Sequence, residues 1–149
     1  MILSVARVGY MSDPYDLQRF VDAQDPVIAD VKAELKAGAK RTHWMWYIFP
    51  QVEGLGSSQM AQRYAISSRE EAEAYLAHPL LDPRLRECTT LVTHIEDRSA
   101  TEIFGSPDDL KFRSSMTLFA AVADAPEPFR TALQQYYDGP DPRTLDFLE

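Results

Sequence analysis

The stretch Lys40–Ser58 reads KRTHWMWYIFPQVEGLGSS and contains both tryptophans of the chain and two closely spaced glycines. We call residues 43–49 the aromatic segment and residues 54–58 the glycine loop. The aromatic segment is almost continuously large and apolar, so neither the period of a strand nor that of a helix can be read from it. Pro50 disfavours helical geometry at Phe49 and therefore ends the element. Because its neighbours are predicted to be helical, we interpret the segment as a short buried helix.

The aromatic segment brings polar atoms into apolar surroundings. Buried Trp and Tyr side chains need partners for their N–H and O–H groups, and His43 adds another polar group. One interpretation is a core segment that holds the surrounding helices, with His43 hydrogen-bonded to protein groups. The other is the lining of a ligand pocket, where aromatic surface and a few polar groups occur together. On that interpretation the candidate ligand-binding residues are His43, Trp44, Trp46, Gln51, Gly54, Gly56, Ser57, Lys40 and Lys111, while catalytic residues stay unassigned.

The glycine loop also allows two interpretations. Two glycines and two hydroxyls before a helix can present backbone N–H groups to an anion. The same residues also suit a plain turn followed by an N-cap at Ser58. The spacing matches neither a P-loop nor a dinucleotide-binding fingerprint.

Positive charge leads toward the aromatic segment. Lys32, Lys36 and Lys40 are spaced four residues apart on a predicted helix and are followed by Arg41. They suit a solvated helix face near a C-terminus, where cations are favoured. The alternative is that they guide an anionic ligand.

Composition narrows the function classes. A length of 149 residues fits one domain. The formal net charge of −8 makes a nucleic-acid partner unfavourable, because phosphate backbones are bound by clustered Lys and Arg. Cys88 is the only cysteine, which excludes an intrachain disulfide and indicates a reducing, cytoplasmic setting. The three histidines lack the spacing of a metal motif, so no metal site is expected. No apolar run approaches the length of a membrane span, and we expect neither membrane insertion nor export.

Capping residues and apolar stripes predict an all-α fold, a single compact domain of about seven to nine helices over residues 13–149. Residues 1–12 are predicted to be an N-terminal extension, and whether Met11 is the true start is left open. Helix starts are predicted at Asp13, Asp25, Ser58, Ser68, Asp82 and Ser99. The predicted buried stripes are Val27, Val31 and Leu35; Leu85, Cys88, Val92 and Ile95; and Phe112, Met116 and Phe119.

Lys111, Ser114 and Ser115 lie within about one turn of the predicted helix that carries the last stripe. A lysine that activates a serine nucleophile would fit this spacing. Small serines that permit close helix packing fit it as well, and the sequence offers no oxyanion hole to favour catalysis.

Four sequence segments are distinctive: HWMWYIFPQ, GLGSS, DDLKFRSSMTLF and RTLDFLE. Together they resemble a family of small bacterial proteins labelled only as a domain of unknown function. Members of the family are sometimes given the misleading name calpastatin. The resemblance extends from about Asp13 to Leu148 and implies a single all-helical domain, but it implies no activity and no catalytic residue. Calpain inhibition is not implied, since calpastatin proper is disordered and this composition is that of a globular protein.

Two functions compete at this stage. The first is binding or modification of a small anionic or nucleotide-like ligand beside the aromatic segment and the glycine loop. The second is a noncatalytic protein–protein interaction module with exposed apolar helix faces. A pocket with convergent polar groups would favour the first, and a flat apolar patch the second. Neither cofactor nor oligomeric state follows from the sequence.

Overall fold

The computed structural model describes residues 13–149, which fold into ten helices between Gln18 and Leu148. The prediction of an all-α single domain is confirmed, and seven of these helices have seven or more residues. The predicted N-terminal extension, including Met11, lies outside the described residues. The helices are α1 (Gln18–Gln24), α2 (Ile28–Lys36), α3 (Met45–Ile48), α4 (Gln59–Arg63), α5 (Arg69–Ala77), α6 (Leu81–Thr93), α7 (Ala100–Phe104), α8 (Asp108–Val122), α9 (Phe129–Tyr136) and α10 (Pro142–Leu148).

Helix α8 lies at the centre of the fold, in contact with α3, α5, α7, α9 and α10. The predicted ridge of Phe112, Met116 and Phe119 is completely buried on it. Phe49, at the end of the aromatic segment, packs edge-to-face on Phe112 with 4.9 Å between ring centroids. The aromatic segment is thereby attached to the central helix, and the prediction that it forms a short buried helix is confirmed by α3.

Three predicted serine caps are present. Ser58 Oγ accepts a hydrogen bond from the backbone N–H of Ala61, and Ser99 forms a full capping box with Glu102. Ser68 caps α5, but the carboxylate of Glu71 binds Ser67 instead of completing a capping box. Local side-chain chemistry at these helix starts was therefore readable from the sequence.

The three starts predicted at Asp–Pro pairs differ from the structure. Asp13 does accept hydrogen bonds from two backbone N–H groups, but a turn intervenes before α1 begins. Asp25 does not cap α2, whose N-cap is Val27. Asp82 lies inside the first turn of α6, where His78 Nδ1 accepts hydrogen bonds from the backbone N–H groups of residues 80 and 81. The imidazole, and not the predicted aspartate, supplies the acceptor at this helix start.

Cys88 is completely buried within α6, as predicted, and burial raises the pKa of its thiol to about 12. A thiol in this state is a packing group and not a nucleophile. Among residues 13–149, no helix is both long enough and apolar enough to cross a membrane.

Candidate functional site

Two clefts of similar size lie on either side of the glycine loop. We call the first, of about 560 Å³, the basic cleft; it lies between the glycine loop, the first half of α8 and the start of α10. We call the second, of about 510 Å³, the acidic cleft; it lies between the loop, the turn before α1 and the start of α5. The loop and α4 form the wall that the two clefts share, because Gly56 and Ala61 line both.

Gly56 allows the glycine loop to pack closely against α4. A Cβ atom at this position would lie 2.7 Å from the Cβ of Ala61 and 3.5 Å from the side-chain nitrogen of Gln51. Since real Cβ atoms do not approach so closely, only glycine lets the loop lie against α4 in this way. Ser57 and Ser58, which follow in the loop, line the basic cleft.

Helix α8 presents two cations to the basic cleft. Lys111 Nζ lies 3.6 Å from Asp108 Oδ1 and 5.6 Å from the ring centroid of Trp46. Arg113 donates from Nε to the carbonyl of Gly139 and from Nη2 to that of Pro140, both at 2.9 Å. These two bonds attach the loop before α10 to α8. The loop thereby brings a third cation, Arg143, to the same cleft.

Arg143 and Lys111 keep hydrogen-bond donors that no protein group in the described residues fully engages. The side chain of Arg143 is exposed and makes no hydrogen bond or ion pair with another residue in the described part of the chain. Lys111 is only loosely held, because 3.6 Å exceeds the usual length of a charge-assisted hydrogen bond.

Lys40 neutralises the charge of Asp108, the carboxylate beside Lys111. Its side chain is 8% exposed, with Nζ 2.9 Å from Asp108 Oδ2 and 5.1 Å from the ring centroid of Trp44. It does not line the basic cleft. Because Lys40 takes up the charge of Asp108, Lys111 is not fully neutralised by that carboxylate.

The basic cleft has one carboxylate in its lining, that of Asp141. Asp141 Oδ2 accepts hydrogen bonds from Ser114 Oγ at 3.0 Å and Thr144 Oγ1 at 2.6 Å. Burial by itself raises the pKa of Asp141, but the bonds from Thr144 and Ser114 outweigh it, and the pKa is lowered. Three cations and one carboxylate leave the lining with a net charge of +2, in a chain whose net charge is −8.

The acidic cleft has the opposite balance, with three carboxylates and one guanidinium, that of Arg19. Arg19 donates hydrogen bonds to four backbone carbonyls and to Glu71 Oε2, the last at 2.9 Å. The other oxygen of Glu71 accepts from the backbone N–H and the hydroxyl of Ser67. The central ion pair of this cleft is therefore fully engaged in holding α1, α4 and α5 together.

Four of the residues proposed from the sequence line the basic cleft: Gln51, Gly56, Ser57 and Lys111. Gly54 faces the acidic cleft instead. Trp46 is half-buried beside the basic cleft, where it borders a void of about 10 Å³ together with Gln51 and Lys111. These residues do lie in one neighbourhood.

The other proposed residues lie elsewhere. Trp44 is 1% exposed, and its Nε1 donates to Glu34 Oε1 at 3.0 Å. His43 is exposed instead of buried, because the chain enters the core only at the residue that follows it. Lys40, as described above, contacts Asp108. The aromatic segment is thus mainly core, and only Trp46 reaches the cleft region.

Glu34 is the partner that the sequence did not identify for Trp44. Its carboxylate also accepts hydrogen bonds from the backbone N–H groups of Arg41 and Thr42 and from the Thr42 hydroxyl. Burial raises the pKa of Glu34, but these hydrogen bonds outweigh it and lower the pKa to about 2. A single carboxylate on α2 therefore fixes the entry to the aromatic segment.

Arg113, Asp141 and Arg143 are the cleft residues that sequence reasoning missed. Each has the appearance of an ordinary surface residue on a helix or turn, and the three meet only because the loop before α10 folds back on α8. Two segments that carry the family resemblance contain the arginines: DDLKFRSSMTLF contains Arg113 and RTLDFLE contains Arg143.

The catalytic pair of Lys111 with a serine, which the sequence spacing would allow, is not formed. Lys111 Nζ pairs with Asp108, whereas Ser114 Oγ lies within hydrogen-bond distance of the carbonyl of Leu110 and of Asp141. Ser115 is completely buried, and its hydroxyl has no hydrogen-bond partner. Both serines are buried against neighbouring helices, which agrees with the packing interpretation. In the described residues no group of three or more His, Cys, Asp or Glu side chains could hold a metal ion.

Comparison with known proteins assigns the chain to a family. Residues 14–148 match the family described as "Protein of unknown function (DUF1810)". The chain belongs to this family. A similar solved structure is the crystal structure at 1.38 Å of the conserved hypothetical protein Rv1873 from Mycobacterium tuberculosis, with 60% sequence identity and a TM-score of 0.90. The match covers 91% of this chain and 98% of that protein. No curated protein matches the chain.

The family and the solved relative, which comes from a bacterium, confirm the resemblance stated from the sequence. Neither description names an activity, a ligand or a partner. The function must therefore be argued from the clefts themselves.

Proposed function

We propose that this member of the DUF1810 family binds a small anionic metabolite that carries a phosphate group, in the basic cleft. The observation that carries the proposal is the convergence of Lys111, Arg113 and Arg143 on one concave surface of an acidic protein. Two of these three cations keep donors that the protein itself does not use. Such donors are suited to phosphate oxygens, because charge-assisted hydrogen bonds are about twice as strong as neutral ones.

The form of the cleft supports a small ligand. Its volume of about 560 Å³ lies within the range of roughly 300 to 1,000 Å³ that is usual for small-molecule sites. Leu55 and Leu110 supply apolar surface, and Gln51 and the hydroxyls of Ser57 and Ser58 supply neutral polar groups. A few polar groups on a partly apolar surface fix the orientation of a bound metabolite.

The alternative of a protein-interaction module has less support. The large apolar side chains that are exposed among the described residues are Leu80, Leu110 and Leu145. They lie on three different elements, before α6, on α8 and on α10. Three exposed leucines are few, and exposed apolar side chains of this kind are common on monomeric proteins. Leu110 also lines the basic cleft, which accounts for its exposure.

The proposal includes a cytoplasmic setting, supported by the buried thiol of the only cysteine. The proposal concerns binding alone and assigns no catalytic role to any residue.

Isothermal titration with adenosine monophosphate tests the proposal, and melting curves provide a second readout. A ligand that binds only the folded state stabilises it by about 2.7 kcal/mol at a hundred times its Kd. We expect saturable binding and a concentration-dependent rise in Tm. Lys111→Gln and Arg143→Gln should each weaken binding about tenfold or more, because each removes a charge-assisted hydrogen bond.

Matched controls separate local contacts from net charge. Lys36→Gln and Arg69→Gln each remove one exposed cation outside both clefts. They should leave the affinity within about twofold of wild type, since an exposed cation that does not line the cleft makes no contact with the ligand and is screened by salt. Equal losses in the control and cleft variants would show that the ligand only senses the overall charge, and the proposal would be wrong.

A further inference from the structure

Asp141 is out of place in a site for an anion. It lies among the three cations of the basic cleft, where a carboxylate repels a phosphate. Its backbone N–H donates to Thr117 Oγ1 at 2.8 Å, and its side chain caps α10. Capping alone does not require a charge, since Asn and Ser cap helices about as well as Asp.

The carboxylate is held in one orientation and keeps free acceptor capacity. The hydrogen bonds from Ser114 Oγ, Thr144 Oγ1 and the Thr144 backbone N–H all go to Oδ2, at 3.0, 2.6 and 3.3 Å. None of these three donors reaches Oδ1, although the backbone N–H of Arg143 also approaches the carboxylate and contributes to its lowered pKa. The lowered pKa keeps the group ionised near neutral pH, and an ionised carboxylate only accepts hydrogen bonds. A ligand group that contacts it must therefore be a donor.

The charge of the cleft sets a second condition. Lys40 and Asp108 compensate each other outside the lining, so the net charge of +2 from the lining residues stands. A phosphate monoester carries about −1.5 to −2 at pH 7. The charge of one such group balances the net charge of the cleft. A diphosphate or triphosphate carries more negative charge than the cleft can neutralise, and the surplus lies near Asp141.

Building on the proposed function, we infer that Asp141 is a specificity residue that selects phosphate monoesters with hydroxyl groups, such as sugar phosphates, over plain alkyl phosphates and polyphosphates. The phosphate is bound by Lys111 and Arg143, and a sugar hydroxyl donates to the carboxylate of Asp141. Polyphosphates are disfavoured by the same carboxylate.

Titration of the wild-type chain with ribose 5-phosphate, propyl phosphate and pyrophosphate, at fixed pH and ionic strength, tests the inference first. We expect ribose 5-phosphate to bind about tenfold more tightly than propyl phosphate, the size of one hydrogen bond to a charged group. This comparison needs no variant, so a folding defect cannot obscure it. Equal affinity for the two monoesters overturns the inference while leaving the proposed function intact. No binding of any of the three compounds overturns both.

Two substitutions then separate the charge of Asp141 from its acceptor role. Asp141→Asn removes the charge and should tighten pyrophosphate binding about fivefold. Asp141→Ser shortens the side chain and should abolish the preference for ribose 5-phosphate over propyl phosphate. Both substitutes can still cap α10, and unchanged melting curves would verify this.

Asp138 supplies the control for both substitutions. It is exposed and precedes Asp141 by three residues, but it lines a neighbouring groove and not the basic cleft. Asp138→Asn and Asp138→Ser should leave both affinity ratios unchanged. If the Asp138 and Asp141 variants shift the ratios equally, the effect is one of general charge and Asp141 has no selective role.

Discussion

The basic cleft and the acidic cleft share the glycine loop as a wall and differ little in size, at about 560 and 510 Å³. They differ in how their charged groups are used. Arg19 and Glu71 in the acidic cleft are saturated by protein partners, whereas Lys111 and Arg143 in the basic cleft retain donors. Two clefts of nearly equal volume therefore differ in the hydrogen-bond donors that protein groups leave unused. We propose that these unused donors, and not the volume, distinguish a ligand site.

Breaking the ion pair of the acidic cleft should produce the largest effect on stability. Glu71→Ala leaves Arg19 with a buried, unpaired charge, because the Glu71 side chain is 3% and the Arg19 side chain 14% exposed. We expect a loss of about 3 to 5 kcal/mol in the free energy of unfolding, measured by urea denaturation. Phosphate affinity, measured where the variant is folded, should stay at the wild-type value.

Glu70→Ala is the matched control for this change, since Glu70 is the exposed neighbour on α5. It should alter stability by less than about 0.5 kcal/mol. A Glu71 variant that stayed stable but lost phosphate binding would reverse the roles that we assign to the two clefts.

Changing the shared wall should affect both clefts at once. Gly56→Ala places a Cβ 2.7 Å from that of Ala61, so the loop or α4 must move. We expect a cost of about 1 to 3 kcal/mol in the free energy of unfolding, as for other overpacked sites, together with weaker phosphate binding. Gly139→Ala provides the comparison, because a Cβ there meets open space. If both variants behaved like wild type, the glycine loop would not define the geometry of either cleft.

Glu34, which holds the entry to the aromatic segment, should contribute less to stability than Glu71 or Gly56, and its contribution should depend on pH. Its folded-state pKa of about 2 lies below the ordinary value of 4.5, so unfolding takes up a proton between these values. The stabilisation is complete above about pH 4.5 and is lost as the pH falls toward 2. Because the carboxylate is only partly buried, we expect about 1 to 2 kcal/mol.

Denaturation of wild type and Glu34→Gln as a function of pH measures this contribution. The two curves should differ above pH 4.5 and converge in acid. Phosphate affinity at neutral pH should not change, since Glu34 lines neither cleft. Parallel curves over the whole range would show that Glu34 does not hold the aromatic segment through its charge.

Much of the fold could be predicted because its signals are local. The caps at Ser58 and Ser99 act within three residues, and the stripe of Phe112, Met116 and Phe119 follows from the helical period. The cap from His78 was missed because an imidazole that accepts from following N–H groups has no common sequence signature.

The site was harder to predict because its residues meet only in three dimensions. The partner of Trp44 is Glu34, ten residues earlier on α2, and Arg143 reaches the cleft through the loop that Arg113 holds. Periodicity gives no information on such contacts. Sequence reasoning therefore named Lys111 and residues of the glycine loop but neither arginine of the basic cleft, and it included Trp44, which is buried in the core.

An NMR titration of the backbone amides with ribose 5-phosphate shows which of the two clefts binds the ligand, because each cleft has its own reporter amides. The amides of Ser57, Ser58 and Lys111 report on the basic cleft, and those of Ala65 and Ser67 on the acidic cleft. We predict that the first group shifts along one saturable curve while the second group stays in place. Saturable shifts confined to Ala65 and Ser67, or no saturable shift in either group, would contradict the account.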